Sequence, residues 1–193
     1  QFTKVEASDL FNFEKRALST EEKSALKIAS VCFVAHSRVL EFLGEQEMES
    51  LINKRVWVSG MKSWHKLAAK GIWVEGAVEY KGFDYFQTFK NKSLLRMKDK
   101  TAFLTHAESA VDDPNATSIA CYTHQFREIP KKITDSSHLY WSSGLPFSTV
   151  WSKLGTPEKQ AEFRKKIHAS GAGKTAAAIR ALGIEPVVID ADS

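Results

Sequence analysis

The sequence predicts an α/β protein built from two similar small parallel-sheet domains. Short apolar runs of strand length alternate with helix-spaced runs along the whole chain, the pattern of strands joined by crossover helices. The 193 residues suit either one large domain or two small ones. One strand, turn and helix pattern occurs twice, which favours two. With 43% hydrophobic and 26% charged residues, the chain has enough apolar side chains for a core and is not a disordered polypeptide.

Ser19-Thr20-Glu21-Glu22 has the capping-box form and starts a short helix running to about Lys27. Ile28 to Ala35 is a nearly continuous apolar strand, and Ser37 to Ile52 behind it has helical spacing. Arg55 to Ser59 is strand-like and ends at Gly60. Met61 to Lys70 is helical, stops at Gly71, and precedes the short strand Ile72-Trp73-Val74.

A helix over Phe83 to Phe89 follows, then a strand from Thr101 to Thr105, the turn Asp112-Asp113-Pro114-Asn115, and a strand from Thr117 to His124. Pro130 to Ser137 reads as a crossing between domains. Beyond it come a strand His138 to Trp141, helices Pro146 to Leu154 and Pro157 to Lys165, and a strand Ile167 to Ala169. A helix Lys174 to Leu182 and a strand Pro186 to Ile189 complete the chain.

The repeat pairs Val58-Ser59-Gly60-Met61-Lys62-Ser63 with Ala169-Ser170-Gly171-Ala172-Gly173-Lys174-Thr175, one glycine longer. Lys62 meets Lys174, Ser63 meets Thr175, Leu67 meets Ile179, and Gly71-Ile72 meets Gly183-Ile184 at the same spacing. A duplicated unit or two generic strand-to-helix turns with glycine caps would both read this way. The second copy is not a nucleotide loop: GxxxxGK[ST] needs glycine where this chain has His168, inside the preceding strand. What remains is a helix start with free N–H groups and a hydroxyl, which either caps the helix or holds a carboxylate or phosphate.

The net charge of +4 is too mild to demand nucleic acid. The basic clusters Lys90, Lys92, Arg96, Lys98, Lys100 and Arg164, Lys165, Lys166 are solvated helix faces or suit a small polyanionic ligand. No aromatic motif of the RNA-binding kind is interleaved with them. Cys32 and Cys121 lie in apolar runs without metal-site or redox spacing, so buried thiols are expected rather than a disulfide or a metal site. No apolar run reaches the ~18–20 residues of a membrane span, and Gln1-Phe2-Thr3-Lys4 does not open a signal peptide, which predicts a cytoplasmic location away from membranes.

Lys174-Thr175-Ala176-Ala177-Ala178-Ile179-Arg180-Ala181-Leu182-Gly183-Ile184 is similar to the last-helix pattern Thr-Ala-x-Ala-Leu-x-x-x-Gly of the uroporphyrinogen-III synthase family. Ile28 to Leu40 and Tyr140-Trp141-Ser142-Ser143-Gly144 resemble that family's two strand-to-helix elements. Val58 to Ser63 stands at its first Gly-x-x-Thr turn, and Ile119-Ala120-Cys121-Tyr122 at an apolar strand ending in tyrosine. The similarity spans nearly the whole chain in segment order, through short motifs. Val34-Ala35-His36 departs from a family Thr-Ser pair, with His36 a replacement donor.

The resemblance implies two flavodoxin-like domains, residues 1–127 and 128–193, joined by a two-stranded ladder of Gln1 to Ser8 with Tyr122 to Glu128, the substrate lying in the cleft between the domains. It implies a second domain lacking its N-terminal strand and helix and its C-terminal helix, as in a fragment, a fusion or a reduced member. The implied activity is cyclisation of linear hydroxymethylbilane to uroporphyrinogen III with loss of water and inversion of one pyrrole. The implied enzyme is a monomer without cofactor or metal, fused to or working with hydroxymethylbilane synthase.

By the same resemblance Tyr122 assists departure of the hydroxyl, where the residue by itself reads as an ordinary strand aromatic. Ser63, Ser142, Gly173, Lys174 and Thr175 match turn positions that hold the substrate's acetate and propionate groups. Ser37 stands near such a position, and Lys62 joins the set through the repeat. For both lysines a solvated helix start is the other reading.

Overall fold

The computed structural model describes residues 1–79, 81–90, 97, 100–109, 111 and 113–189. The chain opens with β1 (Thr3–Val5), α1 (Ala7–Leu10) and β2 (Phe11–Lys15). Then come α2 (Thr20–Ile28), β3 (Val31–Val34), α3 (Val39–Phe42), α4 (Glu45–Ile52), β4 (Arg55–Val58), α5 (Met61–Ala68) and β5 (Val74–Ala77). α6 (Phe83–Lys90), β6 (Thr101–His106), β7 (Ala116–Phe126), α7 (Lys131–Asp135) and β8 (His138–Trp141) follow. The last elements are α8 (Gly144–Lys153), α9 (Pro157–Lys165), β9 (Ile167–Ser170), α10 (Lys174–Arg180) and β10 (Val187–Val188).

The strands form a four-stranded sheet, β1-β8-β9-β10, and a six-stranded sheet, β2-β7-β6-β3-β4-β5. Every pair in the first is parallel, and so are the pairs from β7 to β5 in the second. β2 runs against β7: the Arg127 amide donates to the Leu10 carbonyl at one end, and the Arg16 amide to Cys121 at the other. The fold is therefore α/β with parallel sheets, as the alternation predicts.

The chain divides into two compact units, Phe13–His124 and Gln1–Asn12 with Gln125–Ser193. The six-stranded unit is built on β3, whose residues all bury because both faces of the sheet are covered. Cys32 and Val34 join Leu26, Leu40, Leu51 and Leu67 on one face. Val31 and Phe33 join Trp57, Phe83, Phe86 and Phe103 on the other. In the four-stranded unit, buried Trp141 lies edge-on to Phe147 and Phe163 and stacks on His168.

Local chemistry explains the helix ends. Ser19 and Glu22 close the expected capping box, and Thr156 accepts from the Lys159 amide ahead of Pro157 to start α9. The expected helix over Ser37 to Ile52 is instead two, broken at Leu43-Gly44, where the backbone turns extended before α4. Ile28, 67% exposed, ends α2 rather than opening β3. The expected strand at Ile72 moves to Val74–Ala77, because β5 pairs Val74 with Val56 and leaves Trp73, 77% exposed, outside the sheet. The segment Pro130 to Ser137 contains the helix α7 (Lys131–Asp135), with Pro130 at its N-cap.

The largest departure is at the N-terminus. Gln1 to Ser8 do not form the ladder: Thr3, Lys4 and Val5 pair in parallel with Leu139, Tyr140 and Trp141, and α1 follows. The four-stranded unit thus has an N-terminal strand and helix from its own chain. The ladder is β2 with β7, and the expected boundary at residues 127–128 falls instead within these strands, after Asn12 and after His124. Lys92, Arg96, Lys98, Asp112 and the C-terminal Asp190-Ala191-Asp192-Ser193 lie outside the described residues. Among the described residues no helix is long and apolar enough to cross a membrane.

Candidate functional site

In parallel sheets the strands end together at one edge, where loops and helix starts collect; ligand sites of α/β proteins lie there. At this edge of the six-stranded sheet β3 gives way to His36 and Ser37, β4 to the turn before Lys62 and Ser63, and β6 ends on His106. β7 passes alongside, with Tyr122 opposite His106 and His124 two residues on. The turn after β4 is fixed to β3: the Ser59 amide donates to Val34 and its hydroxyl to the Ala35 carbonyl at 2.6 Å.

Tyr122 is 2% exposed. Its ring stacks on Phe42 at 5.2 Å between centroids and meets the edges of Phe13 at 5.9 Å and His124 at 5.3 Å. Burial pushes the phenol up to about 12, against the pull of the Arg38 guanidinium beside it. Arg38 also lies 3.6 Å from the centre of the Phe13 ring, a cation–π contact. The phenol therefore keeps its proton across the physiological range.

Ser37 and Ser63 are buried, whereas Lys62 is exposed. The Nδ1 atom of His36 accepts from the Arg38 amide at 3.0 Å, which leaves the ring's proton on Nε2. His36 is exposed as a residue, yet packing around its ring, then the charges of Arg38, Lys62 and Lys66, push it down to about 4. Its Nε2–H is a donor in the neutral state.

Sequence reasoning missed a trio at the same edge. Glu108 Oε2 lies 3.0 Å from Nδ1 of His106 and 2.8 Å from Nδ1 of His124. Partial burial of Glu108 raises its pKa, but hydrogen bonds from His124 and His106 outweigh it and hold the carboxyl down at about 2. His106 is lowered by burial, with Glu108 pulling the other way. The signal was the His-x-Glu at 106–108, but its partner arrives on the next strand, beyond the reach of short spacing rules.

In the four-stranded unit Ser142 ends β8 and is spent on the sheet: its amide and its hydroxyl both donate to the Val5 carbonyl, at 3.0 and 2.9 Å. β9 leads to the turn before α10. Gly173 there has φ of 101°, a conformation open to glycine, while Gly60 at the equivalent turn is extended. A Cβ built on Gly144 would lie 3.8 Å from the Thr175 Cα and 3.9 Å from the Lys174 carbonyl oxygen, so the starts of α8 and α10 touch. Ser142, Gly173, Lys174 and Thr175 thus gather at one end of this sheet.

His168, where a nucleotide loop needs glycine, is a core residue. Trp141 Nε1 donates to its Nδ1 at 3.0 Å and its Nε2 pairs with the Phe163 carbonyl at 2.9 Å. Both cysteines are free and buried, with thiols pushed up to about 12 chiefly by burial. A hollow of about 650 Å³ in this unit, lined by Ser8, Asp9, Arg127, Glu128, Pro130 and Lys132, contains none of the expected site residues.

No protein-family model and no curated protein sequence matches the chain. Among solved structures it is similar to uroporphyrinogen-III synthetase from Helicobacter pylori, at 10% identity and a TM-score of 0.57, over 93% of this chain and 83% of that one. It is likewise similar to a mutant uroporphyrinogen III synthase from Thermus thermophilus, at 14% identity and a TM-score of 0.57, over 95% and 82%. Identity this low speaks to backbone arrangement and not to side chains. The chain has the fold of these uroporphyrinogen-III synthases.

Proposed function

We propose that the chain cyclises linear hydroxymethylbilane to uroporphyrinogen III, expelling water and inverting one pyrrole. The observation that carries this reading is the fold likeness to two synthases along more than nine-tenths of the chain. In this proposal the Tyr122 phenol, kept protonated by its surroundings, assists departure of the substrate's hydroxyl as water. Lys62 and Ser63 at the start of α5, with Ser37, hold substrate carboxylates in one unit. Gly173, Lys174 and Thr175 at the start of α10 do so in the other, without Ser142, whose amide and hydroxyl are both given to Val5.

The test is the isomer made from fresh hydroxymethylbilane. The proposal expects the type III product, whereas uncatalysed closure gives type I. Type I alone from the folded chain overturns it. Tyr122→Phe should lower kcat about 10²-fold with little loss of stability, while Ser63→Ala and Thr175→Ala should raise KM.

One observation favours a second reading, a non-catalytic tetrapyrrole-binding module. A proton donor must reach the leaving oxygen, and Tyr122 is walled in by Phe13, Phe42 and two histidines. Stoichiometric binding of a linear tetrapyrrole without turnover would select that reading.

A further inference from the structure

His106 ends β6, Glu108 stands in the turn just after it, and His124 rides on the neighbouring parallel strand β7. The two imidazoles lie 4.4 Å apart, ring centre to ring centre, and both aim Nδ1 at the same carboxylate oxygen. One ligating atom from each of the three side chains falls within 4.8 Å of the others. Around a tetrahedral ion with bonds of about 2.0–2.2 Å, donor atoms stand roughly 3.3–3.5 Å apart. The nitrogen–oxygen separations of 3.0 and 2.8 Å need only about half an ångström of opening to admit one.

We infer that His106, Glu108 and His124 form a binding site for a divalent transition-metal ion of the zinc type, with a fourth position facing solvent. Two imidazoles and a carboxylate are a donor set that zinc accepts with three protein ligands and an open place. Magnesium and calcium prefer all-oxygen shells, so this set selects against them.

The supporting structure is that of a prepared site. The His124 side chain is 7% exposed and held by the edges of Phe13 and Tyr122, so its ring direction is set by packing. His106 is fixed by the strand it ends. The second oxygen of Glu108 faces the His124 amide at 3.5 Å, which orients the carboxylate from behind. Glu108 itself is 49% exposed, and the site opens on its side. The inference stands on these residues alone and does not depend on the tetrapyrrole reading.

The test is a metal titration of the full chain after removal of bound ions with a chelator. Cobalt(II) should bind at one ion per chain with the intense visible bands of tetrahedral coordination, and zinc should displace it. Magnesium in large excess should not compete. His106→Ala and Glu108→Gln should each weaken zinc binding at least tenfold, while His65→Ala, on the exposed face of α5, should leave it unchanged. His124→Ala removes a packed ring and can fail to fold, so Glu108→Gln, at a half-exposed side chain, carries the decision. Absence of stoichiometric binding by the native chain overturns the inference, as does equal affinity in Glu108→Gln.

Discussion

The two sheets share a run of parallel strands, β3-β4-β5 in one and β8-β9-β10 in the other, each with a Lys-hydroxyl turn after its middle strand. They differ in what lies beside the first strand. Next to β3 is β6, supplied later in the chain; next to β8 is β1, supplied before the whole six-stranded unit. The same sheet position is filled from opposite directions along the sequence. A parallel neighbour already requires a long crossover, and extra loop length adds little to its entropic cost. What the position demands is a short apolar strand, and not a place in chain order.

The largest expected effect tests whether the sheets are energetically separate. Trp141→Ala removes a fully buried ring and the donor to His168, at a cost of about 3–5 kcal/mol. Hydrogen exchange should show amides of β8 and β9 losing protection while those of β3 and β6 keep theirs. Equal losses in both would make the chain one cooperative body and dissolve the contrast.

The reverse experiment uses Glu22. Its carboxylate accepts from the Ser19 amide, the Arg16 guanidinium and the Ala120 amide, tying α2 to β2 and β7. Glu22→Gln should cost about 2–3 kcal/mol, confined to the six-stranded unit. Burial raises the pKa of Glu22, but these hydrogen bonds together hold it below its ordinary 4.5. The stabilisation is therefore complete above pH 4.5 and is lost as pH falls below it toward the lowered pKa. Acid titration of the unit's stability should be shallower in the variant, and an unchanged slope would discard this account.

The smallest effect separates the two turns. Gly173→Ala forces a side chain into a positive φ of 101° and should cost about 1–2 kcal/mol, seen as a lowered Tm. Gly60 carries no such strain. An unshifted Tm for Gly173→Ala would mean that the longer turn relaxes freely, and the two turns would then be mechanically alike.

Local signals explain which parts of this were legible. Ser19 with Glu22 and Thr156 with Pro157 announce α2 and α9 because a cap is written in adjacent residues. Gly44 breaks a helix whose spacing runs straight through it, since apolar periodicity continues across a turn. Phe11-Asn12-Phe13-Glu14 alternates as a ladder strand should, yet the choice between it and Gln1 to Ser8 depends on which of them meets β8, a partner far along the chain. The repeat marks both turns, but how a hydroxyl there is used is settled by neighbours: Ser59 donates to the Ala35 carbonyl after β3, which no local pattern contains. His106 and His124 come together for the same reason, through the register of β6 with β7.

The pairing of Thr3 with Leu139 also sets a timetable for synthesis. β1 leaves the ribosome before its partner β8, which follows only after the interval that includes Phe13–His124 has been translated. At ordinary elongation rates that wait is on the order of ten seconds. During it the inserted unit has all its own strands in hand and can fold, while Val5 and Leu10, both destined for full burial, remain uncovered. The need for chaperone protection in this part of the protein should therefore concentrate around β1 and α1, and end when β8 emerges.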